Sequence, residues 1–444
     1  MLRKRLFVSA HQVGDRKFHP TYKTLLENQW KTYGELKKEQ EKKMNALIHF
    51  AYRNVPYYNK LFKDLNLNPD DIKSIEDLQK LPVINKSIIK ENWNDFNPIN
   101  LNELKYYNRS TSGTTGTPFG YRISKFDRFL SGALLYRGWG YAGYKLGDRM
   151  VFFGGRALDI GKKSNLISKI HETVRNIRKL SSFDMNENNM RKYVDIINSF
   201  KPKFIRGYAS SIYFLSNWVE KHQIRIYSPF AIFTTAGKLY PNMRKKIEYV
   251  FSCNVYDGYG LHDGGVSAYE CSEHCGFHID MERSVMEIVD EDGNQLKNGE
   301  GKIIATSLCN YAMPFIRYDT SDIGHIIDDA CGCGRPYELL KELVGRSVDI
   351  LVTPEGKNVN GWIFVMIFWE YDKVIKEYQI TQEKLDTLVI KIVPEDDFDK
   401  GQLNKIREII KITSPAWNVD FKFVDKIERT EAEKYKFIIN KLEK

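Results

Sequence analysis

No stretch of this chain is long and apolar enough to cross a bilayer. Its longest apolar run, Trp362 to Trp369, falls well short of the roughly 18 to 20 residues that a span requires. A secretory leader is not expected either, because the basic start M-L-R-K-R-L-F-V soon reaches Asp15-Arg16-Lys17 before an apolar core can form. The expectation is a soluble, cytoplasmic protein with no transmembrane segment, although its basic, aromatic-rich surface leaves docking on a membrane open. Blocks of like charge are absent too: 67 Lys and Arg against 57 Asp and Glu leave a net +10 spread along the chain. Runs such as Glu35 to Lys43 mix both signs at helical spacing, which reads as a solvated face and argues against nucleic acid as a partner. A diffuse field of that sign favours small anionic ligands. Internal repeats and low-complexity tracts are also missing. With 444 residues, 42% of them apolar, the chain is too long for one core and suggests two or three domains.

What is present begins with a run of small and hydroxylated residues, Ser110 to Gly120, S-T-S-G-T-T-G-T-P-F-G. Gly113, Gly116 and Gly120 free the backbone, and the hydroxyls of Ser112, Thr114, Thr115 and Thr117 sit beside N–H groups able to converge on one anion. This is a phosphate-cradling composition that a plain surface turn also shows. It is not the usual P-loop, since Thr117-Pro118 follow Gly116 where that motif needs lysine.

Around it the pattern is α/β. Residues 21 to 63 alternate charged and apolar positions at helical spacing up to Asn54-Val55-Pro56. Short apolar strands are expected at Met150 to Phe153, Phe204-Ile205 and Ala231 to Thr234, each leading into a helix such as Ser211 to His222. That alternation implies a mostly parallel sheet with ligands at the carboxyl ends of its strands, near Gly207 to Ser210 and Thr235 to Lys238. From Val285 the texture turns to alternating β, expected as a smaller antiparallel, barrel-like subdomain. Beyond Gly345, strands at Leu388 to Val393 and Val419 to Val424 flank a helix over Gly401 to Ile412, a unit the size of a mobile lid.

Four of the six cysteines fall in two short-spaced pairs, Cys271 and Cys275 in C-S-E-H-C-G-F-H, and Cys331 and Cys333 in C-G-C-G. Thiols so placed near an imidazole suit tetrahedral Zn²⁺, and a cytosolic chain disfavours disulfides. Cys271, Cys331 and Cys333 form the expected core set of a structural zinc site, with Cys275 or His278 as fourth ligand.

The spelling T-S-G-T-T-G-T-P resembles the first signature of the adenylate-forming (AMP-dependent) synthetase and ligase superfamily, within it the phenylacetate-CoA ligases and their capsule-biosynthesis relatives of the CapK type. The lead-in to N-V-P-Y-Y resembles the start of the same branch, and the resemblance extends over nearly the whole chain. It implies a large N-terminal adenylate-forming α/β domain, residues 1–344, whose last part from about 270 is β-rich. A small mobile α+β domain, residues 345–444, would follow. By the same resemblance, Ser112, Gly113, Thr114, Thr115 and Gly116 would grip the phosphates of ATP, with Thr114 counted among the catalytic residues. Tyr256 to Asp263, Y-D-G-Y-G-L-H-D, is similar to the Y-G-x-x-E signature. It implies adenine beside Asp257, Tyr259 and Gly260, and Mg²⁺ on Asp263, which stands in place of glutamate. Ala236 and Gly237 resemble the loop packed on the adenine face, where family members often carry an acid. Arg317 to Asp322 resembles R-Y-x-T-G-D, giving Asp322 the ribose hydroxyls, with Ser321 in place of glycine. Gly345-Arg346 resembles the hinge motif whose arginine contacts nucleotide; Val348-Asp349 stand where two acids are common. Arg429-Thr430-Glu431-Ala432-Glu433-Lys434 resembles R-T-x-x-G-K, whose lysine bridges the acid and the α-phosphate, so Lys434 is the expected catalytic cation, with Glu433 replacing glycine.

The implied reaction is the attack of a carboxylate on the α-phosphate of ATP, release of pyrophosphate, and transfer of the acyl group to CoA, a carrier protein, an amine or a sugar. A capsular or surface-polysaccharide pathway is the expected setting. The departures at Asp263, Gly237, Val348 and Glu433 keep a second expectation open, a nucleotide-binding or scaffold protein of the same fold with impaired catalysis. A dimer is compatible with either.

Overall fold

The computed structural model describes residues 7–11, 16–110, 119–154, 172–182, 185, 187–346, 350–356, 358–360, 364, 367–368, 370–371, 374–429 and 435–442. The helical spacing near the N-terminus resolves into α1 (Phe18–Asn28), α2 (Tyr33–Asn54) and α3 (Pro56–Asp64). A capping box starts α2: the Glu35 N–H donates to the Thr32 hydroxyl at 3.3 Å, and the Thr32 N–H donates to the Glu35 carboxylate at 2.8 Å. Its buried residues Leu36, Gln40, Met44, Leu47, Ile48 and Ala51 recur every three or four positions and form one face. Pro56 breaks α2 and then opens α3, where its missing N–H costs nothing. A short α4 (Lys86–Glu91) leads to the antiparallel pair β1 (Tyr106–Ser110) and β2 (Gly120–Ser124), then to α5 (Lys125–Gly140). The hydroxyl-rich residues 111–118, which connect β1 and β2 in the chain, lie outside the described residues.

One twelve-stranded sheet organises most of the chain. Its parallel part contains β3 (Met150–Gly154), β4 (Ile177–Ser181), β5 (Phe204–Tyr208), β6 (Ala231–Thr235) and β7 (Asn254–Gly260), in the order β4-β3-β5-β6-β7. Between these run α6 (Glu187–Phe200), α7 (Ala209–Lys221) and α8 (Pro241–Phe251). Alternation along the strands divides the core: Phe204, Ala231, Phe233 and Tyr256 join residues of α5, while Val151, Ile205, Ile232 and Val255 join residues of α6 to α8.

The ladder continues antiparallel through β8 (Ser267–Glu270), β9 (Phe277–Ile279), β10 (Ser284–Val289), β11 (Gln295–Leu296), β12 (Gly299–Ser307), β13 (Tyr318–Ile327) and β14 (Leu339–Arg346). Their order is β7-β8-β9-β14-β13-β12-β10-β11, so they extend the parallel sheet and are not detached from it. They nevertheless share a core of their own, with Tyr259, Ala268, Ile279, Ile288, Ile303, Ile326 and Leu340 contributed by seven different strands.

The last part holds the pair β15 (Ile350–Val352) and β16 (Asn358–Asn360), then β17 (Ile375–Lys384), β18 (Thr387–Pro394), α9 (Gln402–Thr413), β19 (Asn418–Phe423) and β20 (Ile438–Asn440). The longer strands form a sheet ordered β19-β18-β17-β20, whose core takes in Ile380, Ile390, Ile406 and Trp417. Phe364, Ile367 and Phe368, from the longest apolar run, are buried in that same core. Among the described residues no helix is long and apolar enough to cross a membrane. The four-stranded unit rests on the α7–α8 side of the large sheet: the Tyr435 and Phe214 rings lie 5.1 Å apart, and Lys221 pairs with Glu395 at 3.0 Å.

Candidate active site

A cleft opens at the carboxyl ends of the parallel strands. Its walls include Ala236 and Gly237 after β6, Asp257, Gly258, Tyr259 and Gly260 of β7, Asp322 of β13, Gly345 of β14, and Tyr435 to Ile438 from the last unit. The residues after β6 and on β7 meet there because parallel strands deliver their ends to one edge, and Asp322 and Gly345 arrive on the antiparallel strands that continue the sheet. Ala236 turns the chain at φ 65°, a left-handed conformation that L-residues adopt at some cost. At Gly237 an added Cβ would meet no atom within 4 Å, so a side chain would find open space there.

Asp322 stands on a bulge in β13. The partner of Ile304 is Asp319 and that of Lys302 is Ile323, so residues 320–322 are displaced from the regular ladder. Its carboxylate accepts a hydrogen bond from the Tyr259 hydroxyl at 2.9 Å, which joins the two strands across the cleft. Ser321 on the bulge has φ 64° and its N–H donates to Asp319 at 2.7 Å. Serine therefore holds a conformation that suits glycine, the residue usual at this position in the motif.

Asp257 is almost fully buried. The Thr234 hydroxyl donates to its carboxylate at 2.6 Å, while its own N–H donates to Glu270 at 2.8 Å. Burial, then the charge of Glu270, pushes the Asp257 pKa up to about 7. Glu270 is in turn held by both Nη2 contacts of Arg244, at 2.7 and 2.9 Å. Asp263 is buried as well. It accepts from the Tyr318 hydroxyl at 2.8 Å on one oxygen, and its other oxygen has no hydrogen bond to a described residue. A carboxylate with one oxygen anchored and the other uncommitted fits a hard cation such as Mg²⁺.

The structure also displays residues that the motifs did not reveal. Arg283 binds Asp127 through two hydrogen bonds, at 2.8 and 2.9 Å, across a chain separation of 156 residues, and reaches the Leu261 carbonyl at 3.5 Å. This ties the segment before Asp263 to α5. Arg137 is fully buried and pairs with both Asp280 and Glu282, with the Tyr337 hydroxyl alongside. No local spacing announces such pairs, because their members lie on different elements. Tyr318 carried a signal, its place in R-Y-x-T-S-D. Its anchoring role follows from the neighbouring backbone, where the Ile84 N–H donates to the Arg317 carbonyl and the Asp319 N–H to Ile84, at 2.9 and 2.8 Å.

Ser112, Gly113, Thr114, Thr115 and Gly116 lie outside the described residues, as do Val348, Glu433 and Lys434. Arg346 ends β14 with its backbone beside Asp322. Lys434 directly precedes the cleft-lining Tyr435 in sequence.

The cysteines converge behind the site. Donor atoms of Cys271, His278, Cys331 and Cys333 all lie within 4.8 Å of one another. The Cys271 and Cys331 sulfurs are 3.5 Å apart, and the Cys333 sulfur is 3.3 Å from the His278 Nε2. Three thiols and an imidazole at such separations match a tetrahedral zinc ligand set. Cys275 is more exposed but its sulfur lies 3.1 Å from that of Cys331, so both candidate fourth ligands are at hand. The cluster ties the β8–β9 turn to the β13–β14 connection.

Comparison with known proteins supplies the context. Residues 351–441 match the family described as the CapK C-terminal domain. Protein CapK of Staphylococcus aureus is 24% identical over 409 residues, which cover 91% of this chain and 89% of that protein. A phenylacetate-coenzyme A ligase of Thermus thermophilus is 26% identical over 378 residues, 80% of each chain. Among solved structures, a 2-hydroxyisobutyryl-CoA ligase in its postadenylation state superposes with a TM-score of 0.72 at 17% identity, over 93% of this chain and 90% of that one.

Proposed function

Because the chain belongs to the adenylate-forming synthetase and ligase superfamily, on the branch of CapK and the phenylacetate-coenzyme A ligases, we propose that it joins a carboxylic acid to AMP and passes the acyl group to CoA. It is an ATP-dependent, AMP-forming ligase. The observation that carries the reading is the meeting of Ala236, Gly237, Asp257, Tyr259, Gly260, Asp322 and Gly345 in one cleft closed by the segment after Lys434.

In this reading the adenosine lies between the Ala236-Gly237 loop and β7, with its ribose hydroxyls donating to the Asp322 carboxylate that Tyr259 orients. The acid's oxygen attacks the α-phosphate, the bond to the β-phosphate oxygen breaks, and pyrophosphate leaves. Ser112 to Gly116 would hold the leaving phosphates through N–H and hydroxyl groups, and Lys434 would offset charge on the pentacoordinate oxygens. A magnesium ion on Asp263 would supply further neutralisation of the phosphates. A thiol, that of CoA in the relatives' names, then displaces AMP from the acyl carbon after the small domain, residues 345–444, has turned about Gly345-Arg346. The CapK likeness supports a surface-polysaccharide setting, and use of ATP and CoA supports a cytoplasmic one. The four-ligand cluster supports a structural zinc that fixes the turns flanking β8 and β13.

ATP–pyrophosphate exchange over a panel of carboxylic acids tests the ligase. Exchange reduced by about 10² to 10³-fold in Lys434→Ala is the expected result. Tight ATP binding with no exchange for any acid supports a scaffold instead. Metal analysis is expected to give one zinc per chain, lost in Cys331→Ser.

A further inference from the structure

Lys238 follows the Ala236-Gly237 turn after β6 and lines the cleft, its side chain 15% exposed. Its ammonium reaches β14. The ladder between β13 and β14 skips a residue there: Ile323 pairs with Gly345 and Gly324 with Leu343, so Val344 is the extra residue of a bulge. Lys238 Nζ donates to the Val344 carbonyl at 2.7 Å. Gly345 follows at φ 137°, a conformation that suits glycine, and the chain then leaves for the small domain.

The same ammonium lies 3.3 Å from the Glu342 carboxylate and 5.5 Å from the centre of the Tyr240 ring. Glu342 is 62% exposed, so water and salt screen that ion pair and the charge-assisted bond to Val344 is the firmer tie. Tyr240 in turn meets the Phe437 ring of the small domain edge-on, with centroids 6.4 Å apart. Lys238 therefore joins the loop beside the proposed adenosine to the bulge from which the small domain departs, and it lies over a ring that touches that domain. Water could satisfy a bulge carbonyl without ordering a long side chain, which costs rotamer entropy. What the lysine adds is a fixed position for Val344.

We infer that Lys238 is a positioning residue for the adenylation step: it fixes the bulge at Val344, and with it the exit of the chain at Gly345-Arg346, in the arrangement that brings Tyr435 to Ile438 into the cleft wall. The inference rests on the acid–AMP ligase reading and adds to it a residue that acts through the backbone of β14. Without the bond the bulge carbonyl turns to water and the exit loosens. The segment after Lys434 then occupies the cleft for less of the time, so acyl-adenylate forms more slowly. Transfer to CoA follows the turn of the small domain and does not need the bond.

The test compares the unaltered protein with Lys238→Met, Lys238→Arg and Glu342→Gln. ATP–pyrophosphate exchange is measured with the fastest acid of the panel, single-turnover transfer to CoA with the preformed acyl-adenylate, and amide hydrogen exchange on the protein without ligand. Lys238→Met is expected to lower kcat for pyrophosphate exchange by about 10-fold, with KM for ATP held within about twofold and transfer to CoA not slowed. Lys238→Arg should recover most of the rate, and Glu342→Gln should stay near the unaltered value. Amide exchange in Lys238→Met should quicken along β14 and residues 435–442 and stay unchanged in β5. Equal loss of both half-reactions, a rise in KM for ATP alone, or unchanged amide exchange along β14 overturns the inference and leaves the ligase standing. If no acid supports exchange in the unaltered protein the ligase reading falls, and quickened or unchanged amide exchange along β14 then decides whether Lys238 holds the bulge.

Discussion

Around the large sheet, Asp127, Arg137, Asp257, Asp263, Asp280, Glu282, Arg283, Glu287, Arg317 and Asp322 are all withdrawn from water. Among the described residues of the four-stranded unit no Asp, Glu, Lys or Arg is fully buried, and its interior polar groups are Thr353, Gln379, Thr381, Gln382 and Ser414. The first region accepts desolvation of charge in return for fixed positions, since a bidentate pair such as Arg283–Asp127 permits little variation in geometry. The second is held by apolar packing. It meets the large unit through the Tyr435 and Phe437 rings and the half-exposed Lys221–Glu395 pair. What differs is the tolerance of each region to being disturbed.

The comparison breaks most directly at Arg137. Arg137→Met leaves Asp280 and Glu282 buried without a cation and is expected to destabilise the large unit by about 3 to 5 kcal/mol in urea unfolding. A loss under about 1 kcal/mol would mean that the pairs do not hold the sheet. Ile390→Ala, at the centre of the small core, should cost about 2 to 5 kcal/mol locally. Exchange should then fall while nucleotide binding to the large unit persists; simultaneous loss of both contradicts the independence of the two regions.

Asp257 sharpens the contrast through pH. Its pKa rises from 3.8 in the unfolded reference to about 7 when folded, so the folded state binds the proton more tightly. Stability from this group is therefore full below about pH 4 and declines as pH rises toward about 7, beyond which its loss is complete. Asp257→Asn should flatten its share of that decline and raise stability at pH 8 relative to pH 4 by about 4 kcal/mol against the unaltered chain. Melting temperatures at the two pH values check the sign, and an unchanged slope would count against it. The smallest expected effect is at the bulge. Ser321→Gly relieves a left-handed serine and should gain about 0.5 to 1 kcal/mol in thermal unfolding, with ATP affinity retained.

Much of the frame was legible because it depends on local alternation. The strand expected at Ala231 to Thr234 runs to Thr235, and the helix expected at Ser211 to His222 covers Ala209–Lys221. Pattern could not show that the antiparallel strands hydrogen-bond onto the parallel ones, since strand partnership is settled by long-range packing. It also missed β17, Ile375 to Lys384, because its buried residues run consecutively from Tyr378 to Gln382 and three of them are Gln or Thr. At the site, glycine and carboxylate spellings pointed to Asp257, Tyr259, Gly260 and Asp322, which do line one cleft. The supporting arginines left no such trace.

Ile84 links to both Arg317 and Asp319, so the helical segment before β1 is stitched to the strand that carries Tyr318 and Asp322. Trimming the chain to begin at β1 would therefore not liberate a self-sufficient catalytic fragment. It would strip one margin of β13, leaving backbone donors and acceptors bare beside Asp263, and the shortened protein would tend to recruit a neighbouring molecule along that seam.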